Sequence, residues 1–406
     1  MKSCAISGNP ASALKFILLA AFTLPIIGCT AEIGGTSGSG GSGGGGVTGC
    51  GTSGQVGTGS IQVKVNPTTN TIYVANQDDG TVTVIDGATN ATTLVNDQNA
   101  AGVIALDVNP TTNQVYVANA KTNNVTVIDG ATNCTTDVAV GQQPAAIAVN
   151  PATNEAYVVD VASGDVTAID GTTMATTVIS ASVNGPVAIA ADSTRNLIYV
   201  PVGQSSGGIV TVINGATNTA TPVFGLSADL PEVAALAIDA NTDQIYVAFA
   251  STKQTQVNDL DGASATTNSP KVTFIPTGPN PIAVAINPAT QMVYVADNGI
   301  NGAMSSDVTV IDETTNMATT VTNLLAMSPT AVAVNSATNT IYVANHFSSN
   351  VTVIDGASNT VTATVAVSDT PTDIAVNQTT NQIYVATSGG SITVIDGVTN
   401  TPTTIQ

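Results

Sequence analysis

The tyrosines of this chain recur at nearly constant intervals, and this regularity constrains the fold more than any other feature. Consecutive tyrosines are 43, 41, 42, 47, 48, 48 and 42 residues apart. Most lie in a segment such as "IYVAN", an apolar segment and a turn of the type "NPATN" come before it, and "VTVIDG" or a relative follows most of them. The chain is therefore a tandem array of eight units, centred on Tyr73, Tyr116, Tyr157, Tyr199, Tyr246, Tyr294, Tyr342 and Tyr384.

Each unit contains four short apolar segments separated by turn residues, which predicts four β-strands. In the unit around Tyr342 we expect strands at Pro329–Asn335, Asn339–Asn345, Val351–Ile354 and Thr360–Val367. The "NPATN" and "DGATN" links suit tight turns, because Asn and Asp bond to nearby backbone amides and Gly and Pro favour turn conformations. A period of 40–50 residues with several strands per unit is typical of a β-propeller. We predict an all-β propeller of four-stranded blades.

The phrases "YVAN" (Tyr73–Asn76, Tyr116–Asn119, Tyr342–Asn345) and "VTVID" resemble the YVTN family of β-propeller repeats, which is found in surface-layer and envelope proteins. The resemblance covers residues 61–406, and Ala stands where the family name has Thr. It implies a binding or scaffolding role, with polymer binding in some relatives, and no catalytic residue. The family commonly closes with seven blades, which is the alternative here; the eight complete copies predict eight.

The first 28 residues have the pattern of a secretion signal. Lys2 and Lys15 precede an apolar stretch at 16–27, which is too short for a bilayer-spanning helix and suits a signal-peptide core. It ends in "IIGC", which resembles the lipobox of bacterial lipoproteins and would make Cys29 the lipidated N-terminal residue. The alternative is an ordinary secretory signal with an incidental cysteine. Thr30 is not the Asp associated with inner-membrane retention, so we expect an outer-membrane or cell-surface location.

Residues 29–60 follow the signal and contain "SGSGGSGGGG". Such a segment buries little apolar area, so it predicts a flexible tether between a lipid anchor and the propeller at 61–406. Cys50 lies in this tether and Cys134 in the propeller. In an oxidising compartment they would either pair or leave Cys134 free, and the sequence does not decide between these.

The charge of the chain argues against nucleic acid as a partner. Five basic and 27 acidic residues follow Cys29, a formal charge of −22, and such a surface repels phosphate backbones. One His, one Arg and small apolar first strands such as "AAIAVN" give no basis for an active site, a metal centre or a cofactor. We therefore expect a protein that is not an enzyme; the alternative is a propeller hydrolase of the lactonase type.

Variation between the repeats falls on one predicted face. The links after the first and third strands are monotonous, whereas those after the second strand and between blades vary in length and composition. Variable loops on a repeated frame suggest a binding surface, although loops also drift where packing does not restrain them. The mature chain's phenylalanines fall in units four to seven. We predict a binding surface containing Phe224, Phe249, His346 and Phe347, and we expect Phe274 to be buried.

These observations predict an envelope protein that reaches the membrane only through its lipid anchor. Its expected role is to bind or scaffold an unidentified protein or a cell-surface polysaccharide. A purely structural coat component is a further alternative.

Overall fold

Eight antiparallel sheets, each built from one repeat, follow one another around a ring in the computed structural model of this protein. The structure describes residues 51–181, 188–202, 209–224, 233–249, 255–265, 270–300 and 303–406. All of them belong to one compact unit, Gly45–Gln406. In blades 2–8 the four strands pair in chain order, the first innermost and the fourth outermost; blade 1 has the same four-stranded order with one additional N-terminal strand at its outer edge.

The strands of blades 1–4 have the following bounds. Blade 1 contains β1 Thr52–Ser53, β2 Ser60–Asn66, β3 Thr71–Asn76, β4 Thr81–Asp86 and β5 Thr92–Val95. Blade 2 contains β6 Val103–Asn109, β7 Gln114–Asn119, β8 Asn124–Asp129 and β9 Thr135–Ala139. Blade 3 contains β10 Pro144–Asn150, β11 Glu155–Asp160, β12 Asp165–Asp170 and β13 Thr176–Ile179. Blade 4 contains β14 Ala190–Asp192, β15 Leu197–Val202, β16 Ile209–Asn214 and β17 Thr219–Phe224.

Blades 5–8 continue the same order. Blade 5 contains β18 Val233–Asp239, β19 Gln244–Phe249, β20 Gln256–Asp261 and β21 Val272–Pro276. Blade 6 contains β22 Pro281–Asn287, β23 Met292–Ile300, β24 Ala303–Asp312 and β25 Met317–Thr322. Blade 7 contains β26 Pro329–Asn335, β27 Thr340–Asn345, β28 Asn350–Asp355 and β29 Thr360–Ala366. Blade 8 contains β30 Pro371–Asn377, β31 Gln382–Thr387, β32 Ile392–Asp396 and β33 Thr401–Ile405.

The predicted eight-bladed, all-β propeller is confirmed, and the seven-bladed alternative is wrong. In blade 7 the strand bounds differ from the predicted ones by at most one residue.

At the N-terminal end the folded part begins earlier than the predicted residue 61. Strand β1 pairs with β5 at the outer edge of blade 1, and β2 starts at Ser60. The last part of the predicted tether, 52–60, therefore belongs to the propeller.

The repeated tyrosine is explained by the packing between blades. Eight apolar clusters fill the eight junctions, and each contains the tyrosine of one blade and aliphatic side chains of the next. Every one of the eight tyrosines is fully buried. Burying a side chain of this size at each junction supplies apolar contact area that a lone blade, exposed on both faces, lacks.

The turn between the first and second strands explains why Asn recurs at its end. In blade 1, Asn70 has a φ of 54°, a left-handed conformation that Asn adopts more readily than most residues. All eight repeats have a positive φ at this position, where blades 5 and 6 carry Asp243 and Gln291 instead. We call this position the turn asparagine.

A ring of amide hydrogen bonds joins neighbouring blades at the level of these turns. The last residue of the innermost strand donates through Nδ2 to Oδ1 of the turn asparagine in the next blade, at 2.7–2.8 Å. Six of the eight junctions have this bond: Asn66–Asn113, Asn109–Asn154, Asn150–Asn196, Asn287–Asn339, Asn335–Asn381 and Asn377–Asn70. The two junctions that depart from it are consecutive, between blades 4 and 5 and between blades 5 and 6.

At the junction of blades 4 and 5 an arginine replaces the amide pair. Asp192 and Asp243 occupy the two asparagine positions, and Arg195 Nη1 lies 2.8 Å from Asp192 Oδ2 and 2.9 Å from Asp243 Oδ1. The side chain of Asp192 is fully buried, and that of Arg195 is one-third exposed. Two acidic substitutions are thus compensated by a cation from the same turn.

The ring closes without exchange of strands between the two ends of the chain. Blade 8 meets blade 1 through one apolar cluster and through side-chain hydrogen bonds that span more than 300 residues of sequence. Asp373 Oδ2 accepts from the backbone N–H of Val63 at 2.9 Å, and Thr372 Oγ1 donates to the carbonyl of Ser60 at 2.8 Å. Among the described residues, non-covalent contacts hold this junction.

Candidate functional site

The antiparallel order of each blade places its links on two faces. The turn face carries the links between strands one and two and between strands three and four, such as 67–70 and 87–91 in blade 1. The loop face carries the links between strands two and three and the connections between blades, such as 77–80 and 96–102. Among the described residues, variable links such as 120–123 and 346–349 lie on the loop face, whereas the long link of blade 5 between its third and fourth strands, 262–271, belongs to the turn face.

The predicted site residues His346 and Phe347 lie in the loop-face link of blade 7. Phe347 is 59% exposed and His346 is half-buried. Their rings contact edge to face with centroids 4.8 Å apart, and His346 Nδ1 lies 3.3 Å from the carbonyl oxygen of Pro371. This geometry fixes the imidazole and leaves the phenyl ring open to solvent.

Three further exposed apolar side chains lie in the segment whose backbone bonds to the Phe347 link, and the sequence reasoning missed them. Leu324, Leu325 and Met327, in the connection from blade 6 to blade 7, are 89%, 70% and 41% exposed. The N–H of Phe347 donates to the Met327 carbonyl at 3.2 Å, which holds the two segments side by side. We call Leu324, Leu325, Met327, His346 and Phe347 the loop-face patch. The missed signal was the run "NLLAM", which brings two adjacent leucines and a methionine into a connection between blades.

The connection that carries these leucines is fixed by buried polar groups. Asn323 donates through Nδ2 to Thr352 Oγ1 and Thr364 Oγ1, both at 2.9 Å. Its Oδ1 accepts from the Leu325 N–H at 3.1 Å, and Asn350 Nδ2 donates to the Leu325 carbonyl at 2.9 Å. The two leucines are thus held outward on an ordered segment, so little ordering entropy would oppose binding.

The remaining predicted phenylalanines do not join this patch. Phe249 is 1% exposed and packs in the cluster between blades 4 and 5, so its expected place on an open surface is wrong. It ends strand β19 at a position whose side chain points between blades. Phe224 ends β17, and its side chain lies outside the described residues. Phe274 is 47% exposed on the outermost strand of blade 5, although we expected burial.

In six of the eight blades a buried polar side chain near the end of the second strand supports the loop face: Asn76, Asn119, Asp160, Asp297, Asn345 and Thr387. In blade 1, Asn76 Nδ2 donates to Thr83 Oγ1 at 2.9 Å. Blades 3 and 6 have Asp160 and Asp297 at this position, and a threonine hydroxyl donates to each. Burial raises the pKa of Asp160 to about 6 and that of Asp297 to about 7. These carboxyl groups make the stability of the loop face depend on pH.

The innermost strands surround a cavity of about 370 Å³ on the axis of the ring, lined largely by Ala, Ile, Val and Thr. Two of its polar side chains accept hydrogen bonds from backbone N–H groups. Asp373 Oδ2 accepts from the Val63 N–H, and Gln62 Oε1 accepts from the Leu106 N–H at 2.6 Å. Lys64 also lines the cavity. This lining differs from the acidic funnel that a lactonase-type hydrolase would require.

The described residues contain neither a metal-binding cluster nor a membrane-spanning helix. The described ranges contain no group of three or more His, Cys, Asp or Glu side chains placed to hold a metal ion. Within the same ranges, no helix has the length and hydropathy of a membrane span. Cys134 is half-buried and is not in a disulfide, whereas Cys29 and Cys50 lie outside the described residues.

Comparison with known proteins gives similarity in structure alone. No family model matches the sequence, and no curated protein matches it. The structure is similar to hydrazine synthase of Kuenenia stuttgartiensis, with a TM-score of 0.55 and 16% identity over 75% of this chain and 95% of the other. It is also similar to the dihydro-heme d1 dehydrogenase NirN in complex with DHE, with a TM-score of 0.66 and 12% identity over 84% and 73%.

These similarities place the protein among the eight-bladed β-propellers. Both related structures are enzymes by name, so the comparisons lend no support to the expectation that this chain is not an enzyme. At 12–16% identity the likeness establishes the shared fold and carries no residue role across.

Proposed function

We propose that this protein is a lipid-anchored β-propeller of the YVTN type that faces the cell envelope and binds a partner protein through the loop-face patch. The observation that carries the proposal is the exposure of Leu324, Leu325, Met327 and Phe347 on one ordered part of the loop face. Of the eight large hydrophobic side chains exposed among the described residues, these four lie in two segments, 323–328 and 346–349, that are hydrogen-bonded to each other. Contiguous exposed apolar area is a feature of interaction surfaces.

A protein fits this patch better than a polysaccharide does. Sugars are bound by aromatic rings together with convergent hydrogen-bonding groups, and Phe347 is the one phenyl ring of the patch. Leucine and methionine supply apolar area for another protein's side chains, and methionine adapts its shape to irregular surfaces. The formal charge of −22 after Cys29 favours a partner whose surface around the contact is basic.

The test is capture from the organism's own envelope extract by the full chain in mild detergent, followed by affinity measurement with the identified partner. The patch variant is Leu325→Ser with Phe347→Ser. The matched control is Met317→Ser with Val398→Ser, because these side chains are 67% and 81% exposed on the turn face. We expect the control to bind like the native chain and the patch variant to lose at least tenfold in affinity.

Equal binding by both variants would place the site elsewhere on the propeller. If the native chain captured only copies of itself, the structural coat role would replace this proposal. Hydrolysis of a lactone by the native chain, retained in both variants, would favour the enzymatic alternative.

The anchor is tested separately. We expect metabolic labelling with a fatty acid to mark the native chain and not Cys29→Ala, and the variant to leave the membrane fraction. A processed, unlabelled native chain would instead indicate an ordinary secretory signal.

A further inference from the structure

The innermost strands depart from the repeated pattern on one side of the ring. Two positions of this strand carry alanine in six of the eight blades: the residue paired with the repeated tyrosine, and the residue two before it. The exceptions at the first position are Lys64 and Asp107, and those at the second are Gln62 and Asp373. These four residues belong to blades 8, 1 and 2, which follow one another around the ring.

Three of the four exceptions, Gln62, Lys64 and Asp373, line the central cavity of about 370 Å³. The fourth, Asp107, is accounted for by the bond that it accepts from the Val149 N–H. Blades 5–7 line the same cavity with alanine, isoleucine and valine and with a single threonine. The cavity therefore has a polar wall from blades 8 and 1 and an apolar wall from blades 5–7.

Two charged side chains of opposite sign lie on the polar wall. Lys64 is half-buried and forms no ion pair with any described residue. Burial raises the pKa of Asp373, whereas the Val63 N–H and the nearby charge of Lys64 act to lower it, so the two side chains attract each other without forming a pair. A partly buried lysine without an ion pair costs stability, and the alanine of six other blades avoids this cost. The packing of the ring thus gives no reason for Lys64.

The polar wall also has hydrogen-bonding capacity to spare. Gln62 Oε1 accepts from the Leu106 N–H at 2.6 Å, which orients the amide and leaves Nε2 without a partner among the described residues. Lys64 lies two residues further along, so its side chain leaves the strand on the same side as that of Gln62. Asp373 Oδ2 accepts from the Val63 N–H at 2.9 Å, and a carboxylate keeps further acceptor sites after one such bond. The wall offers two neighbouring donors and one acceptor.

We propose that the central cavity binds a small aliphatic amino acid. Its carboxylate accepts from Lys64 and Gln62, its ammonium donates to Asp373, and its side chain lies against the apolar wall of blades 5–7. Charge-assisted bonds of this kind are among the strongest that side chains make. A ligand with both charges is required, because a lone carboxylate would leave Asp373 unpaired and a lone amine would leave Lys64 unpaired.

The size and lining of the cavity agree with such a ligand. Its volume of about 370 Å³ is many times the roughly 30 Å³ that one water occupies and falls in the range of small-molecule pockets. A few polar groups on one side and aliphatic side chains on the other are typical of sites that orient a small amphipathic molecule.

Calorimetric titration of the full chain in mild detergent with L-leucine at pH 7 tests this site, and we expect saturable binding. Two analogues each lack one charge: 4-methylpentanoate has no ammonium, and 3-methylbutylamine has no carboxylate. Each should bind at least tenfold more weakly than leucine, because each leaves one charged side chain of the polar wall without a partner.

Two variants test the assigned side chains. Lys64→Met removes the charge and keeps most of the length, and Asp373→Asn keeps an acceptor for the Val63 N–H. Each should weaken leucine binding at least tenfold. Lys121→Met is the matched control, because Lys121 is an exposed lysine in a loop-face link of blade 2, and it should bind leucine like the native chain. If Lys64→Met misfolds, Lys64→Ala replaces it, since six blades carry alanine there.

A third variant tests the location without changing a charge. Ala283→Leu adds volume to the apolar wall and should also weaken leucine binding at least tenfold. The loop-face patch variant, Leu325→Ser with Phe347→Ser, should bind leucine like the native chain, so this site and the proposed function can fail independently.

Three results would overturn the proposal. The first is no saturable binding of leucine by the native chain at millimolar concentration. The second is equal binding by the native chain and a folded Lys64 variant. The third is binding of 4-methylpentanoate as tight as that of leucine, which would remove Asp373 from the site and with it the amino acid as the ligand class.

Discussion

The Nη1 atom of Arg195 in blade 4 lies 2.9 Å from Oδ1 of Asp243 in blade 5, and this ion pair replaces the amide bond found at most other junctions. We expect Arg195→Met to lower the free energy of unfolding by about 2 kcal/mol, because it leaves the buried Asp192 and its neighbour Asp243 without a cation. Urea unfolding followed by circular dichroism measures this.

The rescue variant combines Asp192→Asn, Arg195→Thr and Asp243→Asn, which installs the residues of the six regular junctions. It should recover most of the lost stability. If the rescue were as unstable as Arg195→Met, the guanidinium would matter for a reason other than the two carboxylates.

Asp297 predicts a specific dependence of stability on pH. Burial raises its folded pKa to about 7, above the ordinary value near 4, so the folded state holds a proton that the unfolded state releases. Stability is therefore present at low pH and falls as pH rises from about 4 to about 7, with a slope of at most about 1.4 kcal/mol per pH unit. Asp297→Asn should remove this loss, since blades 1, 2 and 7 carry Asn at this position.

The measurement is the free energy of unfolding of both proteins from pH 4 to pH 8.5. The advantage of the variant should grow up to about pH 7 and stay constant above it. Asp355→Asn is the control with the opposite sign, because backbone N–H groups of Ser358 and Ala357 lower the pKa of Asp355. This variant should be less stable than the native chain at neutral pH, and the difference should shrink as pH falls and Asp355 of the native chain becomes protonated. An advantage of Asp297→Asn that is greatest at pH 4 would contradict the assignment.

Phe249 and Phe347 were both predicted from the sequence to lie on the binding surface, but their truncation to alanine should change stability by different amounts. Phe249→Ala empties a packed position between blades 4 and 5, and we expect a loss of about 3–5 kcal/mol in unfolding free energy. Phe347→Ala removes an exposed ring and should change stability by less than about 0.5 kcal/mol. Thermal and urea unfolding of the pair decide this, and equal losses would place Phe347 in the core.

The strand bounds could be predicted because they depend on turn residues that recur at the same positions in most repeats. In blade 7 the turns that end at Asn339 and follow Asp355 mark where strands stop, and neither requires knowledge of distant residues. Blade number and the role of the tyrosines follow from the same repetition. Whether a side chain is buried between two blades depends on which side of its strand faces the neighbouring blade. The sequence did not show this for Phe249, so its predicted exposure was wrong.

The candidate surfaces could not be predicted from the sequence alone, because they depend on contacts between residues that are far apart in sequence. Exposure of Leu324 and Leu325 depends on Asn323 reaching Thr352 and Thr364 in the next blade. The acidic residues between blades 5 and 6 were readable in part: an alignment of the eight repeats shows Glu313 where the other seven have glycine. That it meets Asp239 and Asp259 follows only from the ring, because they belong to the preceding blade.

The closure between blades 8 and 1 leads to a last prediction. Seven junctions have a chain connection across them, whereas this one is held by contacts such as the 2.9 Å bond from the Val63 N–H to Asp373 Oδ2. Asp107 makes a bond of the same kind to the Val149 N–H across the junction of blades 2 and 3, at 2.8 Å. Asp373→Ala and Asp107→Ala therefore remove the same kind of bond from an unlinked and a linked junction.

We expect each variant to lose about 1–3 kcal/mol, because each leaves a backbone N–H without its acceptor. Hydrogen exchange should separate them. In Asp373→Ala, amides throughout blades 8 and 1 should exchange faster together, since no peptide limits how far these blades part. In Asp107→Ala, the increase should stay near Val149. The same local pattern in both variants would mean that the closing junction opens no more readily than the linked ones, and that its apolar cluster alone holds the ring shut.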